Sequence, residues 1–195
     1  MGNCPRSLPA WGLFMQRFLR IAVSLTAMLL VAVTNSAAQT DVSHLKPGDS
    51  FPSITGQTLS GKQMELPGAA SARPAVVILS FSRAGGHDSQ TWSQHLSKNV
   101  PGLPIYTVIF LESVPRLFRG MAISGIKSGM PATMQDRTVL LYQDSEAWER
   151  KVRLGGEDHA CVVLLKASGA IEWLSSEGFS DASYSGLLKQ LQMPG

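Results

Sequence analysis

The chain has 195 residues, of which 44% are hydrophobic, and this is enough for one domain with a sizeable core. Lysine and arginine number 17 against 14 acidic residues, but Arg6, Arg17 and Arg20 lie within the first 38 residues, so 17 minus 3 leaves 14 basic and 14 acidic residues beyond them. Because the chain after residue 38 is formally neutral, its composition offers no basic surplus for phosphates and excludes nucleic acid as a predicted partner.

The first 38 residues have the pattern of a secretory signal peptide. Arg17 and Arg20 precede an apolar stretch at 21–33, and small residues follow at 36–38. We expect cleavage after residue 38 and export to the periplasm or to the outside of the cell. The apolar stretch is shorter than the roughly 20 residues that span a membrane, and an uncleaved N-terminal anchor is the alternative.

The rest of the chain divides into a polar leader, 39–50, and one folded domain, 51–193. Continuous β-branched and aromatic runs predict buried strands, and pieces rich in Gly and Pro predict turns. In chain order we expect a hairpin within 51–67, strands at 74–81 and 105–110, a helix over 113–129, a strand at 138–143, a short helix over 145–156, a hairpin at 160–174 and a helix over 180–192.

Between the first two of these strands we expect another helix, which carries Trp92 and begins at Asp88 or Ser89, since both are good N-cap residues. Ser113 is the expected cap of the next helix, and we expect an interruption near Gly125 because glycine weakens helices. The alternation of strands and helices favours an α/β sandwich with helices on both faces of the sheet.

Three motifs occur in order along the chain: the opening "LKPGDSFPSITGQTLSGKQMELP", the strand and loop "VVILSFSRAGGHDSQTW" and the closing hairpin "VVLLKASGAIEW". They resemble those of the thioredoxin-like fold in its redoxin and extracytoplasmic thiol-reductase versions, and the resemblance covers about residues 46–192. The resemblance implies a three-layer sandwich with a mixed central sheet.

The redox motif of this family is missing. Aligning Phe81 with the last residue of the family's strand places the two redox cysteines at Gly86 and Ser89, and Ala160 falls near the family's cis-proline. We expect a trans bond there, because a cis bond without proline costs about 2.5–4 kcal/mol. The one cysteine beyond residue 38 is Cys161, which we interpret as a buried strand residue.

A second resemblance concerns function. The phrases "SFSRAGGHDSQTW" and "VVLLKASGAIEWLSSEGF" resemble the mitochondrial ATP-synthase assembly-factor family, whose thioredoxin-like members act as chaperones. This resemblance implies that the chain escorts a membrane-associated subunit, and it transfers no catalytic residue and no cofactor.

We expect the loop at 83–89 to lie beside the stretch around His159, because ligands bind at the carboxyl ends of central strands in this class of sheet. Two imidazoles and a carboxylate there, those of His87, Asp88 and His159, suggest zinc or copper, although exposed loop residues or an anion site are alternatives. The candidate binding residues are Arg83, Gly85, Gly86, His87, Asp88, Ser89, His159 and Ala160.

A second candidate surface lies in "RLFRGMAISGIKSGMPATM", which combines basic, apolar and methionine side chains. It would dock a membrane-protein helix or a lipid surface, although an ordinary packed helix explains the pattern as well. The candidate partner residues are Arg116, Phe118, Arg119, Met121 and Met130.

The sequence therefore leads to two main hypotheses. The first is an exported, non-catalytic thioredoxin-like protein that works by binding, as a chaperone or assembly factor for an envelope or membrane complex. The alternative is a redoxin-type enzyme or peroxidase that uses Cys161 alone, although this cysteine is predicted in mid-strand and not at a helix start, where its pKa would be lowered.

Overall fold

The computed structural model describes residues 44–152 and 159–192. These residues build one mixed sheet of seven strands with the order β2-β1-β5-β4-β3-β6-β7. The strands are β1 Ile54–Thr58, β2 Gln63–Leu66, β3 Ala75–Ser80, β4 Ile105–Phe110, β5 Thr138–Leu141, β6 Cys161–Leu165 and β7 Ile171–Ser175. The three central strands β3, β4 and β5 run parallel, and the outer strands are antiparallel to their neighbours.

Five α-helices connect or follow these strands. They are α1 Arg83–Asn99, α2 Arg116–Ser128, α3 Ala132–Gln135, α4 Ser145–Val152 and α5 Asp181–Gln192, and a short 3-10 helix occupies Gly68–Ala70. The order of elements follows the prediction, including both hairpins. The 3-10 helix and α3 were not predicted.

Strand β3 places the core on both sides of the sheet. All six of its residues are buried, as the prediction for a fully covered strand requires. Val77 and Leu79 join a cluster that includes Trp148 of α4, whereas Val76 and Ile78 join a cluster with residues of α1 and α5. Helices therefore cover both faces, and the predicted α/β sandwich is confirmed.

The domain starts earlier than residue 51. The backbone N–H of Leu45 donates to the carbonyl of Lys151, and that of Gly48 donates to the carbonyl of Ile171. Ser50 forms a bridge with Ala170 beside the start of β7. Residues 44–50, predicted to belong to a polar leader, are therefore hydrogen-bonded to the domain. The predicted signal peptide and residues 39–43 lie outside the described residues.

Three predicted helix features differ in the structure. Helix α1 begins at Arg83, five residues before the predicted cap Asp88. The N-cap of α2 is Pro115 instead of Ser113, and α2 continues through Gly125 without interruption. No helix within residues 44–152 and 159–192 is both long enough and apolar enough to cross a membrane.

Candidate functional site at the start of helix α1

Helix α1 begins directly after the central strand β3. Ser82 is its N-cap, and the Ser82 hydroxyl accepts a hydrogen bond from the backbone N–H of Gly85 at 3.0 Å. An N-cap serine satisfies one of the backbone N–H groups that a helix start leaves without a partner. The segment 83–89, predicted as a loop, therefore forms the first two turns of the helix.

Gly85 lies against the backbone of the segment that precedes β6. A Cβ at this position would be 2.9 Å from the carbonyl oxygen of His159, closer than real Cβ contacts. Gly85 is needed for close approach, whereas a Cβ at neighbouring Gly86 would meet no atom within 4 Å. The two adjacent glycines thus have different structural roles.

The carboxylate of Asp88 joins α1 to two other segments. Its Oδ2 accepts a hydrogen bond from the N–H of Ala160 at 2.9 Å, and its Oδ1 accepts one from the N–H of Phe179 at 2.9 Å. Hydrogen bonds to a charged acceptor are stronger than neutral ones. We call this pair of hydrogen bonds the Asp88 tie. Asp88 links segments within the domain, so its prediction as a helix cap was wrong.

His159 and Gly178 pack tightly beside this tie. A Cβ at Gly178 would be 2.5 Å from Nδ1 of His159, and Gly178 has a φ of +79°. Both the conformation and the contact with the imidazole disfavour a side chain at this position. The segment at 178–179, in which Phe179 donates to Asp88, therefore packs closely against the His159 ring.

Aromatic rings continue the contact between α1 and the segment at 178–179. The Phe179 ring lies 5.2 Å from that of Trp92 in a T-shaped arrangement and 4.5 Å from the imidazole of His95. Trp92 is fully buried, and its Nε1 has no hydrogen-bond partner. The junction therefore combines two charged hydrogen bonds with aromatic packing.

The 83–89 segment and His159 are neighbours, as predicted, but His159 does not lie at the carboxyl end of a strand. His159 lies before the amino end of β6, and this end meets the carboxyl end of β3 because β6 is antiparallel to β3, with Cys161 opposite Leu79. The predicted trans bond before Ala160 is also confirmed, since the one cis peptide within the described residues is Leu66–Pro67.

The other predicted binding residues separate by exposure. Arg83 and His87 are exposed, Gly86 is half-buried, and Ser89 is buried on the inner side of α1. Within residues 44–152 and 159–192, no three His, Cys, Asp or Glu side chains are grouped closely enough to hold a metal ion. The described residues thus give no support to the metal site proposed for His87, Asp88 and His159.

Cys161 is fully buried in β6. Desolvation by burial raises the pKa of its thiol well above the ordinary value of 9.0. Cys161 belongs to the same cluster as Trp148, whereas its neighbour Ala160 belongs to the cluster that contains Trp92 of α1. The thiol therefore lies on the opposite face of the sheet from the start of α1.

The residues of the second candidate surface, on α2 and just after it, differ in exposure. Phe118 and Met121 are exposed and Arg116 is solvent-facing, in line with their prediction as surface residues. Met130 instead packs against the cluster of Leu59, Leu111 and Leu140, and its Sδ accepts a hydrogen bond from Thr138. Met130 is thus an inward residue, contrary to its prediction.

The fold of the chain is similar to those of several known proteins. Neither a protein-family model nor a curated protein sequence matches the chain. The thioredoxin domain of a thiol-disulfide oxidoreductase from Bacteroides vulgatus matches with a TM-score of 0.54 at 21% identity, over 74% of this chain and 97% of that chain. A candidate thiol:disulfide interchange protein DsbE from Chlorobium tepidum matches with a TM-score of 0.56 at 15% identity, over 75% and 96%.

The exposed lipoprotein thioredoxin Etrx1 from Streptococcus pneumoniae matches with a TM-score of 0.52 at 10% identity, over 71% of this chain and 99% of that chain. The chain has the thioredoxin-like fold. The fold expected from the motifs is therefore confirmed, and within it the start of α1 contains glycine, histidine, aspartate and serine and no cysteine.

The roles of Asp88, Gly178 and Phe179 in the junction were not predicted from the sequence. A signal existed for Asp88, since it lies three residues after Gly85 and four before Trp92, which places the three on one side of a helix. That pattern becomes visible only when the helix is started at Ser82.

We predict that Asp88→Ala lowers the free energy of unfolding by about 3 kcal/mol, because two backbone N–H groups lose a charged acceptor. Asp88→Asn retains one acceptor oxygen and should lose less. Chemical denaturation of both variants measures the effect, with Glu177→Gln on the exposed part of the same loop as a control. Equal stability of Asp88→Ala and the unaltered chain would show that the tie is not formed.

We further predict opposite effects for the adjacent glycines. Gly85→Ala forces the carbonyl of His159 to move and should destabilise the domain by about 1 kcal/mol or more. Gly86→Ala meets no neighbour and should stabilise it by up to about 1 kcal/mol through higher helix propensity. Thermal unfolding of the matched pair tests this, and a shift of the same sign in both variants would contradict the packing described for Gly85.

Proposed function

We propose that this chain is an exported protein that works by binding other proteins, as a chaperone or assembly factor for a membrane complex, and not by thiol chemistry. The single observation that carries the proposal is the position of Cys161, fully buried in β6 on the far side of the sheet from the start of α1. A thiol enzyme needs an accessible thiolate with a lowered pKa, and burial raises this pKa instead.

The residues at the start of α1 do not replace the missing sulfur. Gly85 and Gly86 have no functional group, and Ser89 is buried against the sheet. Both carboxylate oxygens of Asp88 are used by backbone N–H groups. A nucleophile needs a neighbouring base and access to substrate. These side chains therefore favour a structural role for the start of α1, and we infer that its function is to contact a partner.

The exposed side chains next to the junction are suited to such contact. Arg83 and His87 point to solvent on the first turns of α1. Exposed side chains on rigid elements can recognise a partner without large ordering costs. The resemblance to the ATP-synthase assembly-factor family supports a membrane-complex subunit as this partner.

Export is supported by the signal-peptide pattern of residues 1–38 and by the setting of one protein with this fold, an exposed lipoprotein thioredoxin. The alternative activity, a peroxidase that uses Cys161 alone, is disfavoured by the burial of this thiol. The described structure contains no feature that favours it over binding.

We predict that the full chain, in a Cys4→Ser background, neither reduces insulin disulfides nor consumes peroxide above the uncatalysed rate. Its remaining thiol, Cys161, should react with a thiol reagent only after denaturation, because it is inaccessible in the folded domain. Peroxide consumption that Cys161→Ser abolishes would overturn the proposal and support the enzyme.

The positive arm of the same experiment uses a photoreactive amino acid in place of His87 in intact cells, with Lys98 at the far end of α1 as the matched control position. Cross-links to a defined membrane-complex subunit from position 87 and not from position 98 would support binding at the start of α1. Equal cross-linking from both positions would contradict a specific contact there.

A further inference from the structure

The exposed large apolar side chains of the described residues gather in one place. Leu117 is 85% exposed, Met121 74%, Phe118 52% and Tyr142 38%. The first three belong to α2, and Tyr142 is linked to α2 because the guanidinium of Arg119 lies 5.0 Å from the centre of its ring. Scattered single apolar residues need no explanation, whereas a group of this kind marks an interaction surface.

The other side of α2 attaches the helix to the domain. Ile123 and Ile126 pack against the cluster of Leu59, Leu111 and Leu140. Leu117 and Met121 are one helical turn apart and lie on the side of α2 away from these isoleucines. The exposed apolar side is therefore not required for the attachment of α2.

The charged residues of α2 itself are all basic. No acidic residue occurs between Glu112 and Asp136, and α2 carries Arg116, Arg119 and Lys127. Since the chain beyond residue 38 has equal numbers of acidic and basic residues, this stretch is a local concentration of positive charge in a neutral domain. Charge complementarity thus points to an anionic partner.

We propose that the outer side of α2 binds the surface of an anionic lipid bilayer. Leu117, Phe118 and Met121 enter the boundary between headgroups and acyl chains, as the apolar side of an interfacial helix does. Arg116 and Lys127 contact lipid phosphates, and Tyr142 lies at the level of the headgroups, where tyrosine is favoured.

A bilayer fits this surface better than a protein partner does. The apolar side chains protrude instead of lining a groove, and a Cβ at Gly120 or Gly125 would meet open space. A second copy of the chain is disfavoured, because two α2 helices face to face would bring their basic residues together. The inference stands apart from the proposed chaperone role and holds or fails without it.

The test places an environment-sensitive fluorophore on the α2 surface of the full chain, through Met121→Cys in a Cys4→Ser background. The matched control carries the fluorophore through Lys98→Cys, at an exposed position at the end of α1. Labelling at a defined site keeps the readout specific to α2 even if the N-terminal apolar stretch also contacts the vesicles.

With vesicles of phosphatidylcholine and phosphatidylglycerol we expect a blue shift and quenching by spin-labelled lipids at position 121, and neither at position 98. Replacing both Arg116 and Lys127 by Gln should weaken vesicle binding at this site about tenfold or more, and pure phosphatidylcholine should do the same. Melting curves check that these surface variants stay folded.

No shift at position 121, or equal shifts at positions 121 and 98, would overturn the inference. A shift at position 121 that needs vesicles containing membrane proteins would also overturn it, and would assign the surface to a protein partner instead. Loss of this signal would leave the cross-linking at His87 unchanged, so the two proposals can fail separately.

Discussion

The two hydrogen bonds to the Asp88 carboxylate hold together three segments that are far apart in the sequence. They join helix α1 to Ala160, 72 residues later, and to Phe179, 91 residues later. The fit of Gly85 against the His159 carbonyl and of Gly178 against the His159 ring depends on these segments staying in register. Asp88 therefore holds in place the two segments that pack against the start of α1.

This junction lies where the resemblance to the redoxins places the redox motif. In the resemblance to the redoxins, the two cysteine positions fall on Gly86 and Ser89, on either side of Asp88 in the helix. In these turns of α1, Asp88 accepts its two hydrogen bonds, Gly85 lies close to the backbone of His159, and Ser89 is buried. Under the proposed function, this packed region holds the exposed groups that contact a partner.

Much of the fold could be predicted because burial leaves a pattern in the sequence. The continuous apolar run of β3 and the turn between β6 and β7 are local signals, and the structure agrees with both. The predicted start of α1 was wrong because Asp88 and Ser89 are good N-cap residues by type, whereas the helix is capped by Ser82 and the Asp88 carboxylate accepts hydrogen bonds from distant segments. The role of Asp88 depends on partners 72 and 91 residues away, which no local pattern reveals.

The start of α1 is a structural junction between the helix and two distant segments. Amide hydrogen exchange of the full chain, followed by NMR, tests it most directly at the N–H groups of Ala160 and Phe179. Both amides should exchange slowly, and Asp88→Ala should accelerate exchange at these two amides more than in the central strands, because the carboxylate protects them. Exchange at the rate of unprotected amides in the unaltered chain would contradict it.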